Sequence, residues 1–188
     1  YRVRIEVRDA ALQNAMARAQ TDLTMLPRAP AALSLSDMVF ANRMAATTSA
    51  VGRWNTIGLV PRGDLVLAQR DTFSVYWENY GLAPDADGRV KYEVRLVITL
   101  EEIERVGGVN RFFGGLSDMF GVSQEGDQRL GLRFERNEAM GTRDRVPELV
   151  TIGLGTAPSG RYRLELLVTD RTSREVTRTE RTFHIRGS

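Results

Sequence analysis

His184 is the single histidine of the chain, and there is no cysteine. A serine- or cysteine-type triad needs an imidazole to carry the proton, and a zinc site needs three or four nitrogen or sulfur ligands. One imidazole builds no multi-histidine site of either kind. Its parity in the last apolar alternation puts it opposite Phe183 and Ile185, facing outward. Asp85-Ala-Asp-Gly88 has the alternate carboxylates and the glycine that open a calcium loop, yet the later ligand positions are missing and the same residues make a solvated turn. Arg62-Gly-Asp64 is a tripeptide that adhesion receptors recognise, and behind Pro61 it is also ordinary turn chemistry. Gly107-Gly108 and Gly114-Gly115 lack the spacing and the strand-to-helix setting of a phosphate loop. Glu78 and Asp118 are the carboxylates that acid and base work would need, and nothing brings them together. No set reaches the standard of a catalytic, cofactor or metal motif, so a non-enzymatic protein with no cofactor is expected.

The residues better suited to binding are aromatic. Tyr76, Glu78 and Tyr80 alternate with Phe73, Val75 and Trp77, which gives one strand two largely apolar faces. Either a central strand has its second face covered by the insertion described next, or Tyr76 and Tyr80 form a partner-binding surface, since aromatics and arginine are favoured at interface hot spots. A second group, Phe112, Phe113, Met119 and Phe120, lies in a glycine-rich stretch, Glu101 to Gln128, that breaks the strand pattern. Leu116, Met119 and Phe120 have helical spacing, which allows a short helix there. So many large apolar side chains exceed what an already filled core can take. The segment Val106 to Val122 is therefore expected to be the main partner-contacting element, with burial over the sandwich's own open face as the alternative. Trp54, Tyr76 or Tyr80 stacking on sugar rings would instead make a carbohydrate-binding module.

The 188 residues are 42% hydrophobic and 27% charged, with a formal net charge of +2. That balance suits a packed globule and gives no basic footprint for nucleic acid. Lys91 is the only lysine, so positive charge is almost all guanidinium, which favours planar ion pairs and protein interfaces. No apolar run approaches the roughly 18 to 20 residues of a membrane helix, so no transmembrane segment is expected in this chain.

The elements that position these residues are strands. Phe73, Val75 and Trp77 share one face, and Tyr92, Val94, Leu96, Ile98 and Leu100 share another. With turn chemistry at Asp85 to Gly88 between them, Phe73 to Leu100 is expected to form an antiparallel hairpin. Further strands are marked by Leu130, Leu132 and Phe134, by Val150, Ile152 and Leu154, by Tyr162, Leu164, Leu166 and Val168, and by Val176 to Ile185. Leu33, Leu35, Val39 and Phe40 open the domain, with a slip in the alternation near Ser36 and Asp37. The expected fold is all-β, an immunoglobulin-like antiparallel sandwich of about seven strands.

An internal repeat adds a second domain. Tyr1-Arg-Val-Arg-Ile-Glu-Val-Arg-Asp9 matches Tyr162-Arg-Leu-Glu-Leu-Leu-Val-Thr-Asp170, and Leu23 and Met25 then match Phe183 and Ile185 if one residue is inserted in the first copy. Residues 1–26 are expected to be the terminal hairpin of a preceding sandwich, 27–32 a linker, and 33–188 the sandwich carrying the insertion 101–128. A helix over Ala10 to Gln20, capped by Asp9, is the competing local expectation. Tyr1 stands in mid-strand pattern, so more chain is expected upstream.

Leu33-Ser-Leu-Ser-Asp37, Val75-Tyr-Trp-Glu-Asn-Tyr-Gly-Leu82 and Gly160-Arg-Tyr-Arg-Leu-Glu-Leu-Leu-Val-Thr-Asp170 together resemble the C-terminal β-sandwich region of GWxTD-domain proteins, over roughly residues 33 to 186. The Gly-Trp-x-Thr-Asp motif itself is absent and would lie upstream of Tyr1. The resemblance implies a secreted or envelope-associated bacterial protein of the kind frequent in Gemmatimonadota, located outside the cytoplasm, in the periplasm or envelope. It carries over no catalytic residue. With no catalytic motif in the chain, the expected function is that of a structural or interaction subunit whose partners are other proteins of a larger extracytoplasmic, membrane-bound assembly. In a phototrophic member of that phylum, the assembly would be the reaction-centre and light-harvesting complex, with this chain as a peripheral accessory subunit.

Overall fold

The structure is a computed structural model that describes residues 2–8, 16–22, 32–43, 58–103, 129–140 and 144–187. The expected partner-contacting residues Phe112, Phe113, Met119 and Phe120 lie outside the described residues, as do Trp54, Asp118 and the paired glycines. The chain divides into two compact units, Tyr1–Pro30 and Ala31–Ser188.

In the first unit β1 (Arg2–Arg8) pairs antiparallel with β2 (Met16–Asp22). Val3 stands opposite Thr21, two residues before Leu23, and its counterpart Leu164 stands opposite Arg181, two residues before Phe183. The register of the first copy thus mirrors the second with one residue inserted. Met16 to Gln20 lie in a strand and not in the competing helix. The ladder pairs all seven residues of β1 with all seven of β2, and its register follows the apolar alternation of the repeat.

The second unit packs two sheets face to face. One runs β10 (Arg145–Gly153), β7 (Thr72–Tyr80), β4 (Val39–Arg43), β5 (Leu59–Pro61), with β3 (Ser34–Leu35) also on β7. The other runs β6 (Val66–Ala68), β12 (Val176–Arg186), β11 (Gly160–Asp170), β8 (Arg89–Ile103), β9 (Arg129–Ala139). All pairings are antiparallel except β6 on β12, and no helix occurs among the described residues. Within this unit the chain changes sheet between β5 and β6, β6 and β7, β7 and β8, β9 and β10, and β10 and β11. This is an immunoglobulin-like β-sandwich. It holds more strands than the seven or so expected, because β3, β5 and β6 are two or three residues long and too short to display alternation.

The expected hairpin from Phe73 to Leu100 does not form. β7 pairs with β10, β4 and β3, and β8 pairs with β11 and β9. Alternation assigns a face, not a neighbour, and two strands facing one core from opposite sheets alternate as hairpin partners do. The crossing begins at Gly81, whose φ of 69° favours glycine and where a Cβ would sit 2.5 Å from the Ala32 carbonyl oxygen. Asp85 to Gly88 makes a turn, but one that closes the Pro84–Val90 bridge where β8 starts.

The slip near Ser36 is a bulge. Leu35 faces Asn79 and Val39 faces Tyr76, so one strand carries an extra residue. Ser36 bridges it, its N–H donating to the Glu78 carbonyl and its Oγ accepting from the Glu78 N–H, both at 2.9 Å.

Phe73, Val75, Trp77, Tyr92, Val94, Leu96, Ile98, Ile152, Tyr162, Leu164 and Leu166 are buried in one cluster, and Leu132 and Phe134 pack against it partly buried. At one end the rings of Phe40, Phe73, Tyr162 and Phe183 meet, with centroids 5.1 to 5.7 Å apart. At the start of β11 the Tyr162 hydroxyl donates to the Pro158 carbonyl at 2.7 Å, four residues upstream. That is the tyrosine corner of immunoglobulin-type sandwiches. Burial pushes this phenol's pKa up. Tyr162→Phe should cost about 1 kcal/mol, read as a lower urea midpoint with an unchanged slope. No shift in the midpoint would remove the corner from the account of stability.

Candidate functional site

On the outward side of β7, Tyr76, Glu78 and Tyr80 share a face, as the period of two requires. The Tyr76 hydroxyl donates to Glu78 Oε1 at 2.7 Å, the Tyr80 hydroxyl donates to Oε2, and Arg145 NH1 stands 3.6 Å from the same oxygen. Arg145 reaches it diagonally, since it faces Tyr80 across the β10–β7 ladder. Glu78 is 3% exposed and Tyr76 6%, and Tyr76 also packs with Ala41 and Leu59 in a small second cluster. β7 is therefore a central strand inside the structure on both faces. Of the two tyrosines, the half-buried Tyr80 has the more surface to offer a partner. Glu78 is a carboxylate acceptor for two phenols.

Asp85 Oδ1 accepts from the backbone N–H of Asp87 and of Arg89 at 3.0 Å, and Oδ2 lies 2.8 Å from Lys91 Nζ. Lys91 above all, then these backbone donors, hold its pKa below the usual carboxylate value. Its oxygens serve the turn. Arg62, in the loop from β5 to β6, turns inward: NH1 donates to Asn42 Oδ1 at 3.1 Å and NH2 to the Val66 carbonyl at 2.9 Å. It fastens β4 of one sheet to β6 of the other, so within the Arg-Gly-Asp triplet the guanidinium is engaged while Gly63 and Asp64 are exposed. His184 is exposed on β12, opposite the buried Phe183 and Ile185.

A different feature lies where the last strands of the two sheets run side by side. Leu130, Leu132 and Phe134 of β9, Leu96 and Ile98 of β8, and Val150 and Ile152 of β10 line a largely apolar groove of 390 Å³. One end is closed by polar contacts. Arg136 Nε is 3.1 Å from Glu148 Oε1, the same oxygen accepts from the Tyr92 hydroxyl at 2.6 Å, and the Arg136 guanidinium lies 4.4 Å from the Phe134 ring centre. Burial, and then the bond to Glu148, push the Tyr92 phenol's pKa up. The alternation of Leu130 to Phe134 and of Val150 to Ile152 is visible in the sequence, but the groove needs the knowledge that β9 and β10 edge opposite sheets.

The outer face of the β8–β9 ladder is ionic. Glu93 and Glu135 stand directly opposite, as do Arg95 and Arg133, and like charges so placed repel. Diagonal pairs offset this: Arg133 Nε lies 2.7 Å from Glu93 Oε1, and Arg171 reaches both Glu93 and, at 2.8 Å, Glu135. The Arg133 guanidinium holds the Glu93 carboxyl below its ordinary 4.5, against the opposing effect of burial. A lowered folded-state pKa means that the pairing stabilises above pH 4.5 and is lost as pH falls through the folded value. The Glu93 carboxyl carbon should accordingly titrate below 4.5 by NMR and move back towards it in Arg133→Ala. Titration at 4.5 in both proteins would show the pair to be without effect in solution.

Among the described residues no cluster of three or more histidine, cysteine, aspartate or glutamate side chains is placed to hold a metal. No helix of the described residues is long and apolar enough to cross a membrane. Against known proteins, no family model matches this chain and no curated protein matches it.

Proposed function

We propose that this chain is a non-enzymatic structural subunit that works outside the cytoplasm by binding other proteins of a larger, membrane-bound assembly. One observation carries the reading: the polar groups that could do chemistry are spent inside the fold, while the groove left between the sheets is apolar. Glu78, Glu148, Asp85 and Arg62 each hold a phenol, a guanidinium, a turn or a sheet junction. What that groove offers a ligand is shape and apolar surface, which suits a protein partner. The extracytoplasmic location rests on the resemblance to the GWxTD-type envelope proteins, which also points to a peripheral place on a photosynthetic reaction-centre and light-harvesting complex as its specific form. Carbohydrate binding would need an aromatic ring laid open: Tyr76 is buried, Tyr80 is half-buried with its hydroxyl held by Glu78, and Trp54 lies outside the described residues.

The test is fractionation of the native cells followed by gentle solubilisation and a density gradient. The chain should leave with the envelope fraction and comigrate in fixed ratio with one membrane complex, whose pigment absorbance would identify a photosynthetic one. Sedimentation as a free protein, or saturable binding to a glycan array, would reject the reading. The segment Val106 to Val122 is the proposed contact. Phe112→Ser with Phe113→Ser should abolish comigration while leaving the melting temperature unchanged. A large fall in melting temperature with association intact would assign those rings to the domain's own packing.

A further inference from the structure

The geometry points to β9 as an edge that pairs with the β9 of a second copy of this chain, an inference that stands apart from the subunit reading above. Among the described residues the two sheets end on β10, β5, β6 and β9. Three of these edges are blunted: β10 contains Pro147, β5 is three residues ending in Pro61, and β6 is three residues long. β9 is eleven residues with no proline, and its ladder with β8 runs from Thr99–Arg129 to Arg89–Ala139 without a register shift. Among the described residues no strand pairs with its outer edge, which presents a regular row of backbone donors and acceptors.

Charges usually protect such an edge, but here their order is self-complementary. A two-fold axis normal to the sheet puts the groove sides of both copies on the same side of the joined sheet, so like-facing residues must meet. With Leu132 on the axis, Leu132 meets its own copy and Leu130 meets Phe134 of the partner on the groove side. On the outer side Arg129 meets Glu135 of the partner, and Gly131 faces Arg133. Moving the axis to Arg133 sets two guanidiniums against each other. Moving it to Phe134 sets Leu132 against Arg136 and Leu130 against Glu138. One register alone matches apolar with apolar and positive with negative. The matched stretch, Arg129 to Glu135, stops where Arg136 turns to Glu148 and closes the groove. The half-buried Leu132 and Phe134 would be covered by the partner's apolar row.

The experiment is sedimentation equilibrium of the full chain across a concentration series, with melting curves to confirm that each variant folds. The 21.0 kDa chain should give a concentration-dependent mass approaching twice that value. Arg129→Glu and Glu135→Arg, taken singly, should each weaken the dimer at least tenfold, and mixing the two variants should restore it, because their altered edges complement each other. Hydrogen exchange should slow with concentration at alternate amides of Arg129 to Glu135. A monomer at every concentration overturns the inference, as does a dimer that neither charge reversal weakens. Failure of the mixed variants to recover would overturn this register. None of these outcomes bears on comigration with a membrane complex.

Discussion

Replacing Trp77 by alanine should lower the unfolding free energy by about 3 to 5 kcal/mol. The indole is fully buried at the middle of β7 and heads the buried side chains by volume. Its removal takes away the transfer energy of a large apolar surface and leaves a cavity that strands on both sides cannot close by sliding, since their ladders fix them. The indole N–H also donates to Asn79 Oδ1 at 3.1 Å, and Asn79 Nδ2 donates to the Val146 carbonyl at 3.2 Å, so the substitution strands a buried acceptor beside the junction with β10. Domains of this size have only about 5 to 15 kcal/mol in hand, so the variant should sit near the limit of folding. Urea denaturation gives the measurement, and Trp77→Phe, which keeps most of the volume and loses the hydrogen bond, should lose distinctly less. A loss under about 1 kcal/mol for alanine would show that the ring does not pack as described.

The faces of β8 and β11 were legible because one side of each is buried and the other is partly or fully exposed. Tyr92, Val94, Leu96, Ile98 and Leu100 are the clearest case, and every one is in the core. The repeat was legible because the two copies alternate apolar and polar residues at the same spacing, and it carried the register of β1 on β2. Pairing was not legible. β7 and β8 alternate towards the same core from different sheets, and their separation depends on the turn at Gly81 and on strands far along the chain. β7 displayed two apolar faces because it is central, and the aromatic residues that suggested a surface, Tyr76 above all, lie largely beneath one. The groove escaped notice because its walls come from different sheets, and no local pattern records that they meet. Phe112, Phe113, Met119 and Phe120 are outside the described residues, so their part in binding rests on their density in the sequence.

Asp170→Asn should cost about 2 to 3 kcal/mol although it changes neither shape nor volume. The carboxylate is 1% exposed at the end of β11, and its two oxygens serve different segments. Oδ1 accepts from the backbone N–H of Thr172 at 2.7 Å and of Ser173 at 3.2 Å, which shapes the turn into β12, where Arg174 takes a φ of 63°. Oδ2 accepts from the Ala83 N–H at 2.7 Å, in the crossing from β7 to β8. A carboxylate accepts at both oxygens, whereas an amide must present its NH₂ to one side, where it meets an N–H that also donates. The turn offers two donors and the crossing one, so the amide oxygen should keep the turn and leave Ala83 unsatisfied. Hydrogen exchange would then show the Ala83 amide losing protection while those of Thr172 and Ser173 retain theirs. The reverse pattern would place the weak point in the turn. Unchanged stability with all three amides protected would mean that these donors find other acceptors, and that Asp170 does not tie the sheet crossing to the β11–β12 turn.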